Sequence, residues 1–218
     1  LLLTGELTEK LKRITDSIID IFHADFARIW IAKEGDLCDA GCNHAVAVNH
    51  RHVCENHNLC LHLLASSGRY VHTDGGHRRG PFGAYKIGRI ASGQDAKFLT
   101  NDVVNDPKVH DRKWAAKLGL TSFAGYRLLS ETGHPIGVLA LFSKQTISPD
   151  ADDLLQGIAN TTSQIIQNAF KEDALRKERD KLKKAVSEIK RLGGLLPICA
   201  SCKKIRDDKG YWNQIEIY

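Results

Sequence analysis

The chain lacks the long apolar runs and the catalytic motifs that mark several large classes of protein. No apolar run approaches the roughly 18 residues of a membrane span, and Leu1-Leu2-Leu3 is too short for the core of a signal peptide. No P-loop, Rossmann, nucleophile-elbow or kinase signature occurs. Because the sequence contains no methionine and starts at Leu1, we expect it to be a segment of a longer protein. Because no long apolar run occurs, we expect no membrane span within this segment.

The net charge of +5 is concentrated in one segment of the chain. Between Lys171 and Arg191, nine Lys or Arg residues accompany five Asp or Glu residues. This balance is typical of a solvated helix face. No motif that reads nucleic-acid bases occurs, so we expect no nucleic-acid partner. The six cysteines occur without a secretory signal, which favours the cytoplasm, where cysteines more often bind metals than form disulfides.

Apolar periodicity predicts helices on both sides of a set of short strands. One amphipathic helix is predicted from Thr8 to Phe22, and another from Ala151 to Phe170 after a cap at Ser148. A short helix over Arg112–Leu118 should end at Gly119. The strands, rich in β-branched and aromatic residues, are predicted at Phe26–Ala32, Leu61–Ser66, Phe98–Thr100, Ser122–Leu129 and Pro135–Ser143. The expected fold class is α+β, an antiparallel sheet flanked by helices.

A series of short motifs makes residues 6–170 resemble a GAF domain, a sensory fold related to the PAS domain. The motifs are Ile87-Gly88-Arg89-Ile90-Ala91, Asn101-Asp102-Val103 with Asp106-Pro107, Leu118 to Phe123, Pro135 to Leu139 and the acidic stretch Asp150 to Leu155. The resemblance implies a PAS/GAF-like antiparallel β-sheet with a long C-terminal helix. It also implies a pocket above the sheet for a small ligand or cofactor, whose identity stays open.

Aromatic and histidine side chains between residues 70 and 126 are the candidates for lining such a pocket. The residues selected are Tyr85, His110, Trp114, Phe123 and Tyr126. No haem motif or phosphate-binding loop accompanies them. Core packing or surface exposure is therefore the alternative for each one.

Residues 33–60 interrupt every period and form an insertion between two predicted strands. They hold Cys38, Cys42, Cys54 and Cys60 in a C-x3-C-x11-C-x5-C pattern. Short polar loops let four thiolates reach one metal centre, either zinc or an iron–sulfur cluster. The insertion has few large apolar side chains, so a metal would supply the stability that a core cannot. Free thiols and disulfides are the alternatives, and the centre could sense a signal or only hold the insertion together.

Beyond Phe170, the sequence changes to a charged helical pattern. Leu175, Leu182 and Ile189 recur every seven residues, which predicts a helical linker or coiled coil over residues 171–194. We expect this helix to pair with its counterpart in a homodimer. A lone surface helix is the alternative.

Residues 195–218 resemble a short tail of bacterial PAS and GAF signalling proteins. That tail carries two Cys pairs, whereas only Cys199 and Cys202 occur here. The tail is therefore predicted to hold half of a second metal site.

Two functions follow from the resemblance. A sensory module would bind a ligand or metal and pass the change through its terminal helices to an output domain in cis, such as a histidine kinase or diguanylate cyclase. The alternative is a free methionine sulfoxide reductase, a GAF-type enzyme with cysteines at its pocket. The stretch Tyr70–Leu129, which should line the pocket, has no cysteine. We therefore expect a regulatory module and no enzyme activity in this segment.

Overall fold

The structure, a computed structural model, describes residues 2–40, 42, 44, 54, 57–109, 111–193, 198–206 and 210–214. The chain divides into two units, Leu1–Ala169 and Phe170–Tyr218. In chain order the elements are α1 (Leu2–Phe22), β1 (Ala24–Lys33), β2 (Cys60–Gly68), β3 (Arg79–Pro81), α2 (Tyr85–Ser92), β4 (Lys97–Thr100), α3 (Arg112–Leu118), β5 (Ser122–Leu129), β6 (Pro135–Ser143), α4 (Pro149–Gly193), β7 (Ile205–Arg206) and β8 (Trp212–Asn213).

The first unit is built on a six-stranded sheet with the order β3-β2-β1-β6-β5-β4. Every neighbouring pair is antiparallel. Strand β1 is central, and its Ile29 lies opposite Ala65 of β2 and Leu139 of β6. The predicted α+β class, with an antiparallel sheet flanked by helices, is confirmed.

Apolar residues cover both faces of the sheet, because successive side chains of a strand point to opposite sides. On β6, Leu139 and Leu141 belong to one core cluster, whereas Val138, Ala140 and Phe142 belong to another. The first cluster includes side chains of α1 and α4, and we call its side the α1/α4 face. The second includes side chains of α2 and α3, and we call its side the α2/α3 face.

Helices α1 and α4 supply the apolar cover of the α1/α4 face. Leu11 and Ile18 of α1 are fully buried, as are Leu155 and Ile166 of α4. The predicted cap of α4 is present, since the backbone N–H of Ala151 donates to Ser148 Oγ at 3.2 Å. The predicted long C-terminal helix is confirmed as a single helix of 45 residues. No helix in the described ranges combines the length and the apolarity that crossing a membrane requires.

The second unit contains the C-terminal part of α4 and the short β7–β8 hairpin. Leu175, Leu182 and Ile189, the residues of the predicted heptad row, are 73%, 65% and 68% exposed. An exposed apolar row on a single chain is compatible with a coiled coil and with a lone helix. Dimerisation therefore stays a prediction.

Candidate functional site

A cavity of about 660 Å³ lies on the α2/α3 face of the sheet. Its wall is formed by strands β1, β2, β3, β5 and β6, by the first turn of α2, by the region of α3 and by residues of the loop before β3. Strand β1 contributes Phe26, Arg28 and Trp30, because side chains two residues apart on a strand share a face. The volume lies within the range of about 300–1,000 Å³ that is typical of small-molecule sites.

Five connected aromatic rings form much of the cavity wall. Phe26 stacks on Phe142 with ring centroids 4.9 Å apart. The ring of Trp114 lies 6.0 Å from that of Phe26 and 5.5 Å from that of Phe142. Tyr70 lies 5.2 Å from Phe26, and Phe123 lies 4.8 Å from Phe142. The set offers an apolar, polarisable surface on which a planar ligand could stack.

Lys86 places a buried cation in this wall. The residue is only 9% exposed, and its Nζ lies 4.4 Å from the ring centroid of Phe123 and 4.5 Å from that of Phe142. Burial lowers the pKa of Lys86 to about 8, a shift that the charges of Asp106 and Asp111 partly oppose. Across the described ranges, no hydrogen bond or ion pair engages the side-chain Nζ of Lys86. Burying an ammonium without such a partner is unfavourable, and Nζ itself is not fully buried where Lys86 lines the cavity.

Arg28 is a second cation in the wall, and it is half-buried. Its Nε donates a hydrogen bond to Ser66 Oγ at 3.2 Å. The guanidinium carbon lies 5.3 Å from the ring centroids of both Phe26 and Tyr70. Burial lowers the pKa of Arg28 from its ordinary value, although an arginine stays charged at any physiological pH.

The first turn of α2 is held against the cavity by two backbone features. Tyr85 has a φ of 54°, a left-handed conformation that costs roughly 1–3 kcal/mol in a residue other than glycine. Gly88 allows a close approach to β3, since a Cβ there would lie 2.1 Å from the carbonyl oxygen of Pro81. The capping residue, Ala84, provides no side-chain hydrogen bond. The N–H groups of this turn therefore have no side-chain cap from that position.

Three of the five predicted pocket residues line the cavity. They are Tyr85, Trp114 and Phe123, which come from α2, α3 and β5. His110 lies outside the described residues. The structure thus brings together aromatic residues that are 38 positions apart in the sequence.

The prediction that Tyr126, the fifth residue, lines the pocket is wrong, because its side chain lies on the opposite face of the sheet. It belongs to the core cluster of the α1/α4 face and is fully buried. Its hydroxyl donates to Asp152 Oδ1 at 2.8 Å, and burial together with that hydrogen bond raises the pKa of Tyr126. The physical reason is strand alternation: Tyr126 is three residues from Phe123 on β5, so the two side chains point to opposite sides.

The described lining contains three Lys and Arg residues, Arg28, Arg79 and Lys86, and none of them was among the predicted pocket residues. Arg28 had a recognisable signal, since it alternates with Phe26 and Trp30 and is the only charged residue between them. No such signal marked Lys86. Helix α2 spans only eight residues, which is too few for the apolar periodicity to show which face of the helix is buried.

The four cysteines between residues 38 and 60 are all free thiols. Cys42, Cys54 and Cys60 are buried, whereas Cys38 is partly exposed. The backbone N–H of Cys54 donates to the carbonyl of His44 at 2.8 Å, and Cys42 Sγ lies 3.9 Å from His44 Nδ1. Burial raises the pKa of Cys60 to about 11, and the neighbouring thiols of Cys54 and Cys42 add to the shift. Three of the four thiols are therefore close enough to influence one another.

These thiols do not form a ready-made metal site. Among the residues that the structure describes, no group of three or more His, Cys, Asp and Glu side chains is arranged to hold a metal ion. They do adjoin the cavity wall, since Cys60 Sγ donates to the carbonyl of Gly80 at 3.5 Å and both Gly80 and His44 line the cavity. The metal centre stays a prediction.

Cys199 and Cys202 lie in a turn of the second unit. The backbone N–H of Cys202 points to Cys199 Sγ at 3.5 Å, and Lys203 follows with a φ of 58°. Hydrogen bonds from Cys202 and from Ser201 lower the pKa of Cys199, because they stabilise the thiolate. Two thiols supply only half of a tetrahedral metal site.

Comparisons with known proteins agree with this architecture. The GAF domain family model matches residues 6–166. A GAF domain region from Geobacter sulfurreducens PCA shares 18% identity and a TM-score of 0.55, over 76% of this chain and 95% of that one. The GAF domain of a phosphoenolpyruvate-protein phosphotransferase from Coxiella burnetii shares 16% identity and a TM-score of 0.56, over 79% and 93%. A type II free methionine-R-sulfoxide reductase from Thermoplasma acidophilum shares 16% identity and a TM-score of 0.53, over 76% and 96%.

No curated protein matches the chain in sequence. At these identities the solved structures share only the fold, and that fold serves both regulatory domains and an enzyme. The family match, in contrast, covers most of the chain and contains the sheet, the flanking helices and the cavity. The chain belongs to the GAF domain family.

Proposed function

We propose that this GAF domain is the sensory module of a signalling protein and that its cavity binds a small regulatory molecule. The observation that carries the proposal is the cavity wall, in which five connected rings lie beside the buried cation of Lys86. A surface used only for packing would be filled, since protein interiors are packed as densely as organic crystals. An unfilled cavity and an unpaired cation both reduce stability. Ligand binding would restore that stability.

We propose that helix α4 transmits the ligand-induced change from the domain to the rest of the protein. Leu155 and Ile166 of this helix are buried on the α1/α4 face, and the same helix continues to the exposed row of Leu175, Leu182 and Ile189. A ligand that favours one of two conformations would shift the position or pairing of such a helix. We propose that the row pairs in a homodimer and that an output domain in cis receives the signal.

A reductase is the second candidate, because one of the similar structures is a free methionine-R-sulfoxide reductase. Such an enzyme needs an accessible, low-pKa thiolate at the bound substrate. None of the described cavity-lining residues is a cysteine. Cys60, which contacts the wall through Gly80, is buried and has its pKa raised to about 11. The placement of the thiols therefore favours the sensor.

The two candidates are separated by one pair of measurements on the full chain. Thermal unfolding against a library of small metabolites should show a saturable stabilisation by one chemical class. A coupled assay with free methionine-R-sulfoxide and dithiothreitol should show no turnover. Ala140→Leu, which projects into the cavity from β6, should abolish the stabilisation, whereas Ala116→Leu on the exposed side of α3 should not. Turnover that disappears in Cys60→Ser would establish the enzyme instead.

We also propose that Cys38, Cys42, Cys54 and Cys60 bind one metal centre, either zinc or an iron–sulfur cluster. All four are free thiols, and three of them are buried close to one another. Their sulfur atoms would have to converge on the metal during binding. The thiolate–metal bonds would contribute roughly 10 kcal/mol or more, as in small zinc domains. We place the protein in the cytoplasm, where such thiols stay reduced.

The metal proposal is tested on anaerobically purified protein by metal analysis, sulfide analysis and visible absorption. Because four thiolates would bind one metal centre, we expect about one centre per chain. The double variant Cys42→Ser/Cys54→Ser should lose it, and Cys199→Ser/Cys202→Ser serves as the matched control that retains it. Full metal content and unchanged protease resistance of residues 33–60 in the first double variant would show that the four cysteines do not share a site.

A further inference from the structure

We propose that the cavity ligand is an organic carboxylate with a planar apolar body, and that its carboxylate binds between Lys86 and the first turn of α2. The inference rests on the proposed sensory function and names the chemical class of its ligand. It starts from the single buried ammonium in the wall, which is nine-tenths buried and points at two aromatic rings.

The neighbouring acids do not serve as ion-pair partners of Lys86. Asp106 Oδ1 accepts a hydrogen bond from the backbone N–H of Lys108 at 2.9 Å. Asp111 Oδ1 accepts one from the backbone N–H of Trp114, also at 2.9 Å. Both carboxylates therefore stabilise local turns, and they affect Lys86 by electrostatic attraction without a direct contact. A ligand carboxylate would supply the direct partner that the described chain lacks.

The start of α2 adds a second attraction for negative charge at the same place. Residues 84–88 all line the cavity, and Ala84 offers no side-chain cap. The first N–H groups of a helix are unsatisfied within the helix and carry a partial positive charge. A carboxylate beside Lys86 could accept from the backbone N–H groups of Lys86 and Ile87, as anions commonly do at helix N-termini.

The positions of the rings and of Arg28 define the rest of the ligand. Nζ of Lys86 lies over Phe142, and the guanidinium of Arg28 lies over Phe26. Since Phe26 and Phe142 stack at 4.9 Å, the two cations flank adjoining rings of one aromatic surface. A planar body on this surface would direct a carboxylate to Lys86 and a second acceptor group to Arg28. Asp111 is the only acidic residue of the described lining, so the cavity favours anions.

The test uses matched acid and amide probes on the full chain. The pairs are benzoate with benzamide and 2-naphthoate with 2-naphthamide, and binding is followed by calorimetry and by the tryptophan fluorescence of the cavity. At pH 7 the naphthoate should bind roughly ten- to a hundredfold more tightly than its amide, the range expected for a hydrogen bond to a charged group. Lys86→Met and Lys86→Gln should both remove that preference. Lys113→Met, an exposed lysine on α3, should keep it.

Each other outcome overturns the inference. Equal binding of acid and amide, or an acid preference that survives both Lys86 variants, would show that the site does not select a carboxylate, while the sensory cavity would stand. Absence of binding by every acid and amide would also reject this ligand class. The proposed function is judged separately, by the metabolite screen and its Ala140→Leu control. Circular dichroism of both Lys86 variants checks that the fold is retained.

Discussion

The two faces of the sheet are built from the same strands, yet they differ in what they enclose. On the α1/α4 face, apolar side chains such as Leu11, Ile18 and Leu155 are fully buried in one cluster with residues of β1, β2, β5 and β6. On the α2/α3 face, the same strands border a cavity of about 660 Å³ that holds Lys86 and Arg28. The α1/α4 face is filled by packed side chains. The α2/α3 face instead borders an unfilled cavity, with the aromatic rings and the cation of Lys86 in its wall. The same strands therefore support a packed core on one face and an unfilled cavity on the other.

The largest expected effect comes from truncating a leucine on each face. Leu139 is fully buried on the α1/α4 face, and Leu63 borders the cavity. Leu139→Ala should reduce the free energy of unfolding by roughly 3–5 kcal/mol, because it creates a new void in a packed core. Leu63→Ala should cost only about 1–2 kcal/mol, because part of its surface already faces a cavity. Urea unfolding at pH 7 measures both, and equal losses would contradict the difference between the faces.

The next effect is a gain in stability on the cavity face. The pKa of Lys86 is about 8 in the folded chain, against 10.5 for its ordinary value. Since the unfolded state binds more protons between these values, the stability of the protein rises with pH through that window. Lys86→Met should therefore raise the free energy of unfolding by roughly 1–3 kcal/mol below pH 8. The gain should fade as the pH approaches 10.5. Lys113→Met is the control, and a pH-independent gain would show that charge is not the cause.

A smaller effect is expected where the sheet meets the start of α4. Asp152 accepts a hydrogen bond from Tyr126 and forms an ion pair with Lys97 at 2.5 Å. Asp152→Asn should lower the free energy of unfolding by about 1–2 kcal/mol, since it weakens a charge-assisted hydrogen bond and a helix N-terminal charge. Asp153→Asn, one residue on and exposed, should change it by less than about 0.5 kcal/mol. Similar losses in both variants would show that the contact to Tyr126 contributes nothing.

The smallest effect on unfolding should come from the exposed part of α4. Leu182 is 65% exposed, so Leu182→Asp should leave the thermal unfolding of the first unit within about 0.5 kcal/mol. The same variant should weaken the proposed homodimer, measured by light scattering over a range of concentrations. Lys183→Asp, its exposed neighbour, keeps the apolar row and controls for added negative charge. An unchanged association constant for Leu182→Asp would place any dimer interface elsewhere.

Periodicity predicted most of the fold because each long element is repetitive. The strands at Ser122–Leu129 and Pro135–Ser143 and the helix at Arg112–Leu118 have the predicted bounds. The strand β3 has three residues and α2 has eight, so neither contains enough repeats to be recognised. The sequence could therefore establish the sheet and its flanking helices, but not the short elements that close the cavity.

The site was predicted less completely, because a cavity depends on contacts between distant segments. Trp114 and Phe123 were recognised as aromatic candidates, whereas Lys86 reaches the cavity wall only when α2 packs over Phe142. Tyr126 was assigned to the pocket although its spacing from Phe123 already placed it on the other face of β5. The alternation of side chains along β5 was thus sufficient to assign Tyr126 to the other face of the sheet. The position of Lys86, in contrast, required the tertiary structure.

In the proposed sensor, the opposite orientations of Phe123 and Tyr126 would also determine how far a signal has to travel. Phe123 contacts the cavity, and three residues later Tyr126 holds Asp152 at the start of α4. The two sites lie on opposite faces of the same strand, three residues apart on β5. A small displacement of β5 by a ligand would alter the Tyr126–Asp152 contact directly. Communication between pocket and output helix would then need no extended chain of intermediate residues, and a substitution at Tyr126 could uncouple the two without touching the ligand.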